Sequence, residues 1–257
     1  SADPADAAQW WLDSTDGMTP FGFIPPGDIG RDAFVFDEKD SKAEFKKIVG
    51  VGGNMSGLAD VWDLQQGGIN GAGWTGTFLR QATGLAEYQM RQGFRGMGPD
   101  QQKDQIYRLL ADLWPGGDFK EPVLSDVSDM HQPAGLRAQV VADGPRLPLP
   151  EFPWSDTFSA PARNRPLWLN DGQPFTGTQT LRLHYANAAP ANLPEPVQTE
   201  VAGQTLSIVW RRIDDQTAER VVRVEIRRPV VAAADYVALR RALRQWSAAA
   251  TNDIAMR

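Results

Sequence analysis

Three times toward its C-terminal end the chain alternates apolar and polar residues: Leu181, Leu183 and Tyr185; Leu206, Ile208 and Trp210; Val222, Val224 and Ile226. In the last run Arg223, Glu225 and Arg227 take the opposite parity. A strand turns successive side chains to opposite faces, so this pattern suits a strand buried on one face only. The reading is three half-buried antiparallel strands. After them Asp235 is placed to cap a helix whose Tyr236, Leu239, Leu243 and Trp246 form one stripe, with Arg240, Arg241 and Arg244 toward water.

Upstream, Leu58, Trp62 and Leu64 share one parity, and a second strand follows over 77–83 after the turn Gly67-Gly68-Ile69-Asn70-Gly71. Two helices are expected next, over 85–94 and 100–114. Ile106, Leu109, Leu110 and Leu113 recur at helical spacing, and Pro115-Gly116-Gly117 stops the second helix. Strands over 119–126 and 136–141 complete a strand–strand–helix–helix–strand–strand unit. Pro145, Pro148, Pro150, Pro153, Pro161, Pro166 and Pro174 then disfavour helix and sheet interiors alike and mark a boundary or edge segment.

The fold class is therefore α+β and β-dominated: antiparallel sheets or a β-sandwich, two central helices and a C-terminal helix. The expected organisation is 1–20 as the end of a preceding core, 21–57 as an extended linker, 58–150 as the α+β unit, and 151–257 as a β-rich domain closed by the helix.

A formal charge of −6 leaves no basic footprint for a polyanion, so nucleic acid is not an expected partner. No apolar run approaches the roughly 18 residues of a membrane span. The absence of Cys removes a thiol nucleophile, a disulfide framework and Cys-based metal sites together. His131 lies in a turn, and His184 sits on the polar parity between Leu183 and Tyr185, so both read as surface histidines. No G-x-S-x-G elbow accompanies them. Asp126 with Asp129, and Asp214 with Asp215, read as turn formers and not as metal ligands. The glycine clusters at 50–53 and 71–73 match no phosphate-binding fingerprint. Neither a cofactor nor a metal is expected.

One motif stands apart. The run Trp11-Leu12-Asp13-Ser14-Thr15 resembles the W-L-D-x-T segment that ends the transglutaminase-like core, a papain-like fold with a Cys-His-Asp triad. The succession from Arg163-Asn164-Arg165-Pro166-Leu167 through Val222-Arg223-Val224-Glu225 to Asp235-Tyr236-Val237-Ala238-Leu239-Arg240 is similar to the C-terminal region of exported bacterial proteins built around that core. The resemblance implies that Asp13 is the catalytic carboxylate of a triad whose Cys and His lie before Ser1. It further implies a periplasmic or extracellular setting, and an accessory region without catalysis that supports an upstream transglutaminase-like core or recruits its protein or peptide substrate. Read from the residues alone, Asp13 opens a turn after an apolar strand.

A second expectation is a freestanding extracytoplasmic β-sandwich module for peptide or glycan, using Trp154, Phe158 and Trp168 as aromatic platforms. A third, a hydrolase working with Ser, Asp or Glu and no His, finds no supporting spacing.

Overall fold

A computed structural model describes residues 17, 19, 23–25, 27–37, 42–48, 56–67, 73–142 and 158–250, apart from the side chains of Asp37, Asp171 and Ala250. Asp13, the Trp10-Trp11 pair and Trp154 lie outside the described residues. A first hairpin joins β1 (Asp32–Asp37) to β2 (Lys42–Lys47) within the expected linker. The main sheet contains β3 (Ser56–Gln66), β4 (Trp74–Thr83), β5 (Asp118–Leu124), β6 (Gly135–Ala142), β8 (Phe175–His184), β9 (Val197–Val201), β10 (Gln204–Arg212) and β11 (Thr217–Ile226). A small two-stranded sheet pairs β7 (Leu167–Trp168) with β12 (Val230–Val231). The helices are α1 (Gly84–Phe94), α2 (Pro99–Leu113) and α3 (Tyr236–Ala250). The β-dominated α+β class, with two central helices and a terminal one, is what the described residues adopt.

The strand order in the main sheet is β5-β6-β4-β3-β8-β11-β10-β9. All neighbours are antiparallel except β3 and β8, which pair in parallel over ten positions from Ser56↔Phe175 to Gln65↔His184. A parallel pair requires a long crossover, supplied here by the chain that carries β4 to β6 and the first two helices. The expected segments 58–150 and 151–257 therefore contribute to one mixed sheet and not to two antiparallel ones. Helices, in place of the second sheet of a sandwich, pack on it: α1 against β3 and β4, α2 against β5, and α3 against β9 and β10.

Register puts the apolar parity of every strand on the same side. Trp62 lies between Phe78 on β4 and Leu181 on β8, and Val222 is opposite Ile208. These side chains join Ile106, Leu110 and Leu113 of α2 and Tyr236, Leu239, Leu243 and Trp246 of α3 in a single hydrophobic core. Trp62 meets Phe78 and Trp114 at ring-centroid distances of 4.2 and 5.5 Å.

Local chemistry sets the helix boundaries. Gly84, at φ +58°, turns β4 directly into α1, and the Ser56 hydroxyl accepts the Ala86 N–H at 2.9 Å to satisfy an orphan donor of the first turn. Pro99 begins α2, and the Gln101 side-chain carbonyl accepts the Gly98 N–H. Arg91 of α1 is fully buried and donates to Glu87 and to the Val127 and Gln132 carbonyls, tying the helix to the chain between β5 and β6.

Candidate functional site

The side of the sheet away from the helices carries the polar parity, and many of its positions are exposed, among them Thr77, Gln81, Arg137, Gln139 and Arg211. Two adjacent cross-strand rows on it concentrate the ionisable groups. One row runs Thr77, Asp63, Arg182, Glu219, Arg211 across five strands; the next runs Thr75, Gln65, His184, Thr217. The sequence placed His184 correctly on the polar parity, but its neighbours come from β3 and β11, 121 and 33 residues away.

Arg182 bridges two carboxylates, with Nη2 at 2.9 Å from Glu219 Oε2 and Nη1 at 3.5 Å from Asp63 Oδ2. Arg211 Nε donates to Glu219 Oε1 at 2.7 Å. Only 2% of the Glu219 side chain is exposed. Burial pushes its carboxyl up, but the hydrogen bonds and charges of Arg211 and Arg182 outweigh this and hold it below the ordinary glutamate range.

His184 Nε2 lies 2.8 Å from Asp63 Oδ1, and Nδ1 lies 3.2 Å from Thr217 Oγ1. The order hydroxyl, imidazole, carboxylate has the spacing of a nucleophilic triad. Its hydroxyl, however, is buried and already engaged. The Asp214 carboxylate, which has no proton to give, accepts from the Gln216 N–H and from the Thr217 hydroxyl, and both bonds hold its pKa down. Thr217 Oγ1 is thus shared between the Asp214 carboxylate and His184 Nδ1, whose role as donor or acceptor follows the ring's tautomer. Thr217 is also buried. The constellation ties strand ends together and presents no free nucleophile.

These groups border an open hollow of about 760 Å³ at the end of the sheet. Asp63, Gln65, His184 and Tyr185 line it from β3 and the end of β8; Thr75, Gly76 and Thr77 from β4; Gln139, Val140 and Val141 from β6; and Asp214, Gln216 and Thr217 from the turn into β11. At Gly76 a Cβ would collide with the Asp63 carbonyl, so only glycine lets β4 approach β3 this closely beneath the hollow. Tyr185 packs edge-on to Trp74, and burial pushes its phenol up to about 12. Its hydroxyl finds no hydrogen-bond partner among the described residues.

The remaining sequence candidates fall elsewhere. Asp126 and Asp129 accept hydrogen bonds from residues two further on, Ser128 and His131, as turn formers do. Among the described residues no three His, Asp or Glu side chains are placed to hold a metal ion. Phe158, expected as an exposed platform, is instead in the core, stacked on Tyr236 at 5.9 Å because the C-terminal helix covers it. Trp168 is 65% exposed, with its ring against Gly172, where a Cβ would come within 2.9 Å of it. Reading the sequence missed Asp63, Arg182, Glu219 and Tyr185 as site residues. Their parity was visible; the register that gathers them was not.

Comparisons of the chain with protein-family models, with curated proteins and with solved structures find no match.

Proposed function

We propose that this chain is a non-catalytic binding unit, an accessory region that holds part of a substrate for a transglutaminase-like core, in the extracytoplasmic setting the resemblance implies. The observation that carries the reading is the hollow beside His184. Its wall is rich in hydrogen-bonding side chains, yet in the hydroxyl–imidazole–carboxylate arrangement it holds the Thr217 hydroxyl is buried and engaged by Asp214. No cysteine exists in the sequence to supply a thiol. In this reading Asp13 belongs to the core's triad and has no chemistry to perform without its Cys and His.

Incubated with a glutamine-donor peptide and a primary amine, the 257-residue chain is expected to release no ammonia and form no isopeptide bond. Turnover that disappears in His184→Ala or Thr217→Val would overturn the reading. A second reading, a freestanding glycan-binding module, draws support from Trp168, whose exposed ring rests on Gly172 as a stacking platform would. Trp168→Ala is expected to remove any saccharide binding at that position without altering the hollow.

A further inference from the structure

We infer that the hollow bordered by Gln65, Gln139 and Tyr185 is a binding site for a neutral saccharide. The inference rests on the reading of the chain as a binding unit and names the ligand class of that same site.

The backbone excludes one common mode of recognition. The lining segments of β3, β4 and β8 lie inside the sheet, with their main-chain groups engaged on both sides, so no edge is free to add a peptide strand. A ligand in the hollow must be read by side chains.

Those side chains have a particular chemistry. Gln65, Gln139, Thr75 and Thr77 line the hollow from the solvent-facing side of the sheet, and among the described residues their amides and hydroxyls make no hydrogen bond. Each amide can donate two hydrogens and accept at its oxygen, and each hydroxyl can do both. Among the described residues no lysine or arginine lines the hollow. Arg182, one row away, is bound to Asp63 and Glu219. Among the described residues the acidic lining groups are Asp63 and Asp214, and His184, the one basic group beside them, is engaged by Asp63, so a phosphate or carboxylate ligand would meet like charge there. Among the described residues the apolar lining is Val140, Val141, the Gly76 backbone and the largely buried Tyr185, too little to seat a large hydrophobic side chain. A ligand with many uncharged groups that both donate and accept fits this wall, and contiguous sugar hydroxyls are that chemistry. A volume of about 760 Å³ lies within the roughly 300–1,000 Å³ of small-molecule sites.

The test is an NMR titration of the 257-residue chain with maltotriose, cellotriose and N,N′-diacetylchitobiose, alongside an oligogalacturonate and trilysine. Saturable shifts of the amides of Thr75, Thr77, Gln139, His184 and Tyr185 with at least one neutral saccharide support the inference. Gln139→Ala and Gln65→Ala are each expected to weaken that binding about tenfold, while both leave the melting temperature close to the parent's, because each amide is exposed and makes no hydrogen bond among the described residues. Shifts of these amides by trilysine or oligogalacturonate alone would overturn the saccharide assignment and leave the binding-unit reading standing. Shifts by no probe would overturn both. Neutral-saccharide binding undiminished in both variants, or confined to the surroundings of Trp168, would overturn the hollow as the site.

Discussion

At the residue scale, two buried carboxylates paired with arginine on opposite sides of the sheet serve different ends. Asp60 and Arg80 face the helices, with side chains only 5–6% exposed, and meet in a bidentate pair at 2.7 and 2.6 Å. Removing one partner leaves a charge in the core, so Asp60→Ala is expected to cost about 3–5 kcal/mol in urea melts. The double change Asp60→Leu with Arg80→Met should cost less than either single one, because no orphan charge remains. Glu219 lies on the other face and is held ionised by Arg182 and Arg211. Its folded pKa is depressed, so its contribution is fully present above the unfolded value of roughly 4.3 and is lost as pH falls through the folded one. Glu219→Gln should therefore destabilise the chain at pH 7, and the gap between variant and parent should begin to narrow below about pH 4 and close as the pH falls through the depressed folded value. A gap that persists there would mean that Glu219 acts through packing alone.

At the element scale, the strand and helix faces divide by parity. Trp210 lies on the helix-facing parity of β10 with the Arg220 guanidinium 5.7 Å over its ring, and α3 packs on the same strand. Trp210→Ala is expected to cost about 3–5 kcal/mol. Arg223, on the opposite parity of β11 and more than half exposed, should cost under about 0.5 kcal/mol when replaced by Ala. Chemical denaturation of the two variants checks the contrast, and equal sensitivity would show that something covers the outer face. In α2 the buried stripe is Ile106, Leu110 and Leu113, as its spacing implied. Leu110→Ala should cost about 2–5 kcal/mol, since Leu110 is fully buried beneath the helix.

At the scale of the whole molecule, β3 and β8 make the two halves one structure. Their ten-position parallel pairing lies at the centre of the sheet, and the hydrophobic core continues across it. Thermal unfolding followed by tryptophan fluorescence and by circular dichroism is therefore expected to show one coincident transition. Separately produced fragments 1–142 and 158–257 should each fail to unfold cooperatively, because each exposes an unpaired central strand edge and half of a core. Two resolved transitions in the intact chain, or a fragment that melts cooperatively alone, would contradict this.

Local pattern determined much of this protein from its sequence. Period-two alternation located β10, β11 and the end of β8 and assigned their inner faces; helical spacing and the Pro115-Gly116-Gly117 stop located α2; the Tyr236 to Trp246 stripe located α3. All of these signals lie within one element, where covalent spacing and side-chain direction are enough. The strand β9 was not recognised, since Val197 to Val201 carries only a weak alternation beside Pro194 and Pro196. Tertiary structure alone decided that β3 should lie parallel to β8, that helices in place of a second sheet should cover the apolar side, and that Phe158 should be buried beneath α3. It also assembled the candidate site. Asp63, Arg182, His184, Thr217 and Glu219 are unremarkable polar residues on three separate stretches, and they become neighbours only through cross-strand register. Register follows from burying every strand's apolar parity on one common side, a condition satisfied by the whole sheet at once and carried by no single stretch of sequence.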